Sequence, residues 1–273
     1  MDLNSLTDIA ISAALAAGKV IQRYMQEEVI VEQKQAGASY ASQVVTVVDR
    51  ECEAVILDHL QASCEEFDFA LLSEETEDDG SRFKKAFFWC VDPMDGTLAF
   101  INKRPGFSVS IALVAQDGSP QIGVVYDPST DNLYYASRGH GAYKNSKPWQ
   151  IKAVHEYLTY VTDRKLADTP RKAEIKHLLN EKAAHLGLQH IKEIDGAGAV
   201  LNAIRVLENS PACMLKLPKK SKGGGSIWDF AATACIYQEL ALPATNFAGG
   251  RLALNRQEDS FMNHEGVLYA SFA

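Results

Sequence analysis

The segment Cys90-Val-Asp-Pro-Met-Asp-Gly-Thr-Leu-Ala-Phe100 carries an apolar run, Phe87-Phe88-Trp89-Cys90-Val91, straight into two carboxylates. Asp92 and Asp95 stand three residues apart around Pro93. Charge beside a core is costly unless something cancels it. The hydrogen bonds of a tight turn are one remedy, and a metal ion is another. A strand leading into Asp92, a turn fixed by Pro93 and a permissive Gly96 fit either remedy. Thr97 then opens a helix through Leu98, Ala99 and Phe100, whose first N–H groups suit a phosphate. A bare Asp-Pro-x-Asp is also an ordinary Asp-capped turn. The longer string Asp-Pro-x-Asp-Gly-Thr is far more specific.

Around this segment the chain alternates helical and extended periodicities. Apolar positions Ile9, Ala13, Leu15, Ala16, Val20, Ile21 and Tyr24 predict an amphipathic helix over residues 5–28, capped by Asn4 or Thr7. A strand at 29–31 and a polar loop at 34–43 follow. Residues 44–60 begin extended and turn helical near Asp49. A short strand at 69–72 runs into the acidic loop that holds Glu74 and Glu75. Strands at 107–114, 121–126 and 133–137 come after the opening segment. The second half mixes strands at 158–162 and 212–217 with helices at 171–186, 200–208 and 227–240. This order predicts α+β layers rather than a doubly wound sheet. The division expected is 1–147 and 148–273, without a flexible linker.

At 273 residues and 47% hydrophobic, the chain can bury one large core or two intimate halves. A formal net charge of −8 argues against nucleic acid polymers or anionic membranes as general partners. It leaves room for a small anionic substrate where a local cation reverses the field. Five cysteines form no Cys-x-x-Cys pair and read as reduced core thiols of a cytoplasmic protein. The N-terminus lacks the basic cluster of a signal peptide, and no apolar run reaches the length of a membrane span. There is no Gly-x-x-x-x-Gly-Lys-[Ser/Thr] string, complete dinucleotide fingerprint or zinc-type histidine spacing. Trp89, Trp228 and Cys90 read as core.

Glu74 after a buried strand, Asp229 in Ile227-Trp-Asp-Phe-Ala-Ala232 and Asp49 in Val45-Thr-Val-Val-Asp49 are each ambiguous alone. Glu74 belongs to a run that also suits a solvated loop, and an aspartate at a helix start is usually a cap. In the order VTVVD, LLSEE, WCVDPMDGTLAF, GFSVSIALV, GVVYDP and IWDFAA, however, these strings match one pattern. The chain resembles the magnesium-dependent, lithium-sensitive phosphatase superfamily of inositol monophosphatases and 3′(2′),5′-bisphosphate nucleotidases. The resemblance runs from the first helix to Phe261-Met-Asn263.

That resemblance implies an αβαβα layered sandwich and a metal-dependent phosphomonoesterase. Glu74, Asp92 and the Met94 carbonyl resemble ligands of one Mg²⁺. Asp92, Asp95 and Asp229 resemble ligands of a second, and a third, weaker ion near Glu74 completes the family picture. Asp49 and Thr97, with Glu74, resemble the catalytic set that activates water. Asp95, Asp229 and the N–H groups of Gly96 and Thr97 resemble the substrate-binding set. A homodimer is common in relatives. The physics agrees: two like charges about 4 Å apart repel by roughly 4 kcal/mol at an effective dielectric near 20, so converging carboxylates demand cations.

The segment Phe100-Ile-Asn-Lys-Arg-Pro-Gly-Phe107 is most similar to the bacterial bisphosphate nucleotidases, which convert adenosine 3′,5′-bisphosphate to AMP. The later Gly198-Ala-Val-Leu-Asn202 departs from them: they commonly carry a lysine where this chain has Asn202, as inositol monophosphatases tend to. In the basic loop Pro-Lys-Lys-Ser-Lys-Gly-Gly-Gly-Ser226, Lys219, Lys220 and Lys222 can restore the charge if the loop folds over the site; otherwise it is solvated. An inositol-1-phosphate phosphatase and a non-catalytic polyanion binder remain the alternatives, and intact Glu74, Asp92, Asp95, Thr97 and Asp229 argue against the latter.

Overall fold

The computed structural model describes residues 1–25, 31–33 and 44–272. Helix α1 (Leu3–Tyr24) begins at Asp2, whose carboxylate accepts from the N–H groups of Asn4 (3.0 Å) and Ser5 (3.4 Å). The cap is therefore Asp2 rather than Asn4 or Thr7, because an aspartate one turn earlier already satisfies the free donors. The predicted helix end at 28, residues 29–30 of the predicted strand and the polar loop at 34–43 lie outside the described residues. Strand β1 (Val31–Gln33) pairs antiparallel with β2 (Val44–Thr46), and the chain turns helical at once in α2 (Val47–Phe67). Ala10, Ala13, Ala14 and Ala17 are fully buried on α1, and such small side chains allow close helix approach.

Strand β3 (Ala70–Ser73) runs parallel to β4 (Phe87–Asp95), so β4 carries the opening segment further than its apolar run suggests. Short helix α3 (Thr97–Ile101) follows. Antiparallel strands β5 (Ser108–Ala115), β6 (Pro120–Asp127), β7 (Asn132–Ser137), β8 (Ala142–Lys144) and β9 (Lys147–Pro148) continue the sheet. Among the described residues it has seven strands in the order β3 to β9. Period-2 alternation sorts its faces. Trp89 and Val91 meet α1 and α2, whereas Phe88 and Cys90 point to the opposite side.

The second sheet contains β10 (Leu158–Val161), β11 (Ile191–Ile194), β12 (Ala212–Lys216), β13 (Ala244–Thr245) and β14 (Val267–Ala270). Its order is β11-β10-β12-β14-β13. Helix α4 (Lys172–His185) covers the outer face, placing Ile175, Leu179 and Ala183 against Leu158, Tyr160, Cys213 and Leu215. Between the sheets lie α5 (Ala199–Glu208) and α6 (Ile227–Glu239). One apolar cluster joins Phe88, Cys90 and Val125 of the first sheet to Val200, Phe230, Met214 and Tyr269, so the two sheets share a core. The layers follow helix, sheet, helix, sheet, helix, the expected αβαβα sandwich of an α+β fold. All five cysteines are free, four of them buried. Among the described residues no helix is long and apolar enough to cross a membrane.

Trp89 is wholly buried, and its indole N–H donates to Ser63 Oγ at 2.9 Å, tying β4 to α2. Replacing Ser63 by alanine leaves that donor without a partner, which costs about 1–3 kcal/mol. Urea unfolding should show that loss; an unchanged midpoint would mean that the tie contributes nothing.

Candidate metal centre

Two elements deliver the carboxylates. The end of β4 supplies Asp92 and Asp95, and the first turn of α6 supplies Asp229. One oxygen from each lies within 4.8 Å of the others. The ladder between β4 and β5 shifts register between Asp92 and Asp95, where Pro93 has no N–H to donate. Gly96 ends the strand at φ 85°, and a Cβ there would stand 2.3 Å from Gly106 O. That close approach folds the chain back over the loop before β5. Gly198 N donates to the same carbonyl at 2.9 Å. A Cβ on Gly198 would lie 2.2 Å from the Asp95 carboxylate. With no side chain in the way, Asp95 accepts from Ala199 N (3.2 Å) and Val200 N (2.8 Å) at the start of α5.

This arrangement gathers charge where water is scarce. Asp92 is 1% exposed; its Oδ1 accepts from Met94 N at 3.1 Å, and its Oδ2 is buried without a partner. Burial, then Glu74, Asp95, Asp229 and Asp49, holds the Asp92 carboxyl well above the usual carboxylate range. Burial and the charge of Asp229 push Asp95 up to about 8, against the two backbone donors of α5. Burial raises Asp229 to about 6, opposed by the Ser226 N–H and by Lys216. An orphaned buried oxygen on one of three converging carboxylates fits a hard divalent cation such as Mg²⁺.

The other expected residues surround this centre. Glu74 follows β3, half-buried, with its N–H donating to Val91 O at 3.2 Å. It lies outside the three-oxygen cluster, although its charge bears strongly on Asp92. Asp49 is buried in the first turn of α2 and adds to the same field. The Thr97 hydroxyl donates to Met94 O at 3.1 Å, so the expected carbonyl ligand is held by an expected catalytic hydroxyl. Asp229 doubles as a helix cap, forming a reciprocal capping box with Ser226. The cap reading of that aspartate is borne out, and its place in the three-carboxylate cluster is compatible with a metal-ligand role as well.

Sequence reasoning missed Asp163 and Lys216. Lys216 ion-pairs with Asp163, whose other oxygen accepts from Asn202 Nδ2 at 3.1 Å. The overlooked signal is alternation: Ala212 and Met214 face the inner core whereas Cys213 and Leu215 face α4. Lys216 continues the inner series. Asn202 is fully buried, and its second amide hydrogen goes to Ala197 O at 3.0 Å. A lysine at 202 would therefore enter a closed site rather than face a ligand directly.

The raised carboxyls predict a pH signature. Unfolded aspartates ionise near 4, so the stabilisation these groups give is complete below about 4 and lost as pH rises through their folded values, up to about 8 for Asp95. In EDTA, the melting temperature of wild-type protein should fall relative to that of Asp92→Asn between pH 5 and pH 8. Mg²⁺ should raise the wild-type value more at pH 8, where fewer protons have to leave the carboxyls for it to bind. Equal Mg²⁺ gains at the two pH values would contradict the assignment.

The sequence profile of the Inositol monophosphatase family matches residues 2–271. An inositol-1-monophosphatase of Synechocystis sp. is 37% identical over 154 residues, covering 56% of this chain and 50% of that protein. The Nus factor SuhB of Escherichia coli (strain K12) is 37% identical over 144 residues, covering 52% and 51%. The chain thus spans about half the length of these curated relatives. The crystal structure of CysQ from Bacteroides thetaiotaomicron superposes with a TM-score of 0.77 at 24% identity, covering 98% of each chain, and so shares the fold. With its profile matched almost end to end and its carboxylates converged, this chain belongs to the inositol monophosphatase family.

Proposed function

We propose that the protein is a Mg²⁺-dependent phosphomonoesterase that hydrolyses the 3′-phosphate of adenosine 3′,5′-bisphosphate, releasing AMP and phosphate. The convergence of Asp92, Asp95 and Asp229 carries this reading. These carboxylates, with Glu74 and the Met94 carbonyl, would hold two Mg²⁺, and a third would bind more weakly near Glu74. When bound, the ions supply the positive charge that draws in phosphate oxygens, acidifies water and stabilises the leaving oxygen.

The chain's own groups do the rest. Thr97 orients the attacking water and Asp49 accepts its proton. Water oxygen bonds to phosphorus as the bond to the 3′ oxygen breaks, and that oxygen leaves with a proton drawn from solvent. Backbone N–H groups of Gly96 and Thr97 hold the phosphate, and Asp95 and Asp229 also contact the substrate. The Phe100-to-Phe107 segment supports the nucleotide over other phosphomonoesters. Asn202, in place of the nucleotidase lysine, favours inositol 1-phosphate as a second reading, and the Synechocystis relative is named for that activity.

Phosphate release from both substrates tests the choice. Turnover should require Mg²⁺ or Mn²⁺, stop in excess EDTA and be inhibited by Li⁺, with higher kcat/KM for the bisphosphate. Asp229→Asn should abolish it, because the amide still accepts from Ser226 N but no longer neutralises a cation. Full activity in EDTA or in that variant would overturn the metal assignment, and a larger kcat/KM for inositol 1-phosphate would establish the second reading. A polyanion binder without catalysis would release no phosphate from either.

Asp49→Asn separates binding from chemistry. General-base assistance is worth about 10²–10⁴-fold, so kcat should drop by that order while the Mg²⁺ concentration for half-maximal rate changes little. Recovery of the full rate at high Mg²⁺ would make Asp49 a metal ligand or a structural residue instead.

A further inference from the structure

We propose that Ser110 and Gly123 are positioning residues for the metal centre: they seat α6 on the first sheet and so fix Asp229 against Asp92. The inference rests on the reading of the three carboxylates as a cation site. It gives a physical task to two strings, GFSVSIALV and GVVYDP, that contain none of the expected ligands.

Asp92 belongs to the sheet and Asp229 to the helix laid on it, so their separation is only as exact as the docking of α6. Asp92 pairs with Ser110 across the β4–β5 ladder. One step along the same face, Cys90 pairs with Ala112, and Ala112 with Gly123 of β6. Cys90, Ala112 and Val125 pack with Ile227, Phe230 and Ala231 of α6, so period-2 alternation puts Ser110 and Gly123 on the face that meets this helix. There the buried Ser110 hydroxyl donates to the Trp228 carbonyl at 3.2 Å, one residue before Asp229. Within an α-helix that carbonyl also takes the N–H four residues on. The serine therefore adds a second donor, and its contribution is placement rather than rescue of an orphaned group.

Gly123 sets how closely the helix approaches. A Cβ there would stand 2.1 Å from Ala232 O and 2.9 Å from Cys235 Cβ, so α6 rests on the bare backbone of β6. Further along, Cys235 Sγ donates to Ala136 O of β7 at 3.7 Å. Glu239, the last residue of the helix, accepts from Gly139 N at 3.0 Å and Gly141 N at 2.8 Å. The contacts fall in order on β5, β6 and β7, so α6 crosses the three strands diagonally. Glu239 holds its far end, Gly123 its depth and Ser110 its first turn. Magnesium demands near-ideal octahedral geometry, so a ligand on a loosened first turn meets that demand less often.

Calorimetry with Mg²⁺ alone reads this placement apart from turnover. Asp229→Asn should remove most of the wild-type signal, which ties that signal to this centre. Ser110→Ala should weaken Mg²⁺ binding about two- to tenfold, the equivalent of one net hydrogen bond. Gly123→Ala should weaken it at least as far, because α6 must lift from β6; if that variant does not fold, Ser110→Ala carries the test. Ser63→Ala removes a tie on the opposite face of the sheet and should leave Mg²⁺ affinity unchanged. Wild-type affinity in Ser110→Ala, or an equal loss in Ser63→Ala, overturns the positioning role and leaves the cation site standing. Wild-type protein that binds no Mg²⁺ defeats the cation-site reading itself.

Discussion

Three converging carboxylates whose ionisation is costly without a cation form the point on which the structure turns. Asp92, Asp95 and Asp229 bring oxygens within 4.8 Å, with burial raising each of them. A chain that needed only a stable core would gain nothing by this, because an unpaired buried charge is among the most destabilising features available to it. The cost becomes useful when an ion supplies the missing charge, since the same low dielectric strengthens its hold on the ligands.

Much of the surrounding architecture keeps these oxygens together. Asp92 and Asp95 sit at the end of a strand whose centre is locked by Trp89 to α2. Asp229 rides on α6, which lies between the sheets. Asp95 adds a direct tie by accepting from the first N–H groups of α5. The glycines at 96 and 198 make that contact possible by removing the atoms that would obstruct it. Asp95 thus also fastens the end of β4 to the helical layer.

The charge layout explains how an acidic protein can meet a polyanion. In the proposed reaction the acidic centre would take up a cation, and the ion rather than the protein would present positive charge to the phosphate. Elsewhere the sign changes, as at Lys216, which closes β12 and ion-pairs with Asp163. A net charge of −8 averages over both regions and describes neither.

Local pattern was enough for the strands and helices, because apolar periodicity reports which face meets a core. It was also enough for Asp92, Asp95 and Gly96, which are neighbours in the chain. The cap of α1 was misplaced by two residues or more, since several polar side chains near a helix start compete on equal terms until the backbone selects one. The sequence by itself determined the alternation of elements, the acidic motif and, by resemblance, its phosphatase kinship. Only the tertiary structure decided that Asp95 caps α5, that Asn202 is closed off, and that Lys216 meets Asp163. The contacts to Asp95 and Asp163 join positions 39 to 105 residues apart, and periodicity along one segment carries no information about which segment will lie across from it.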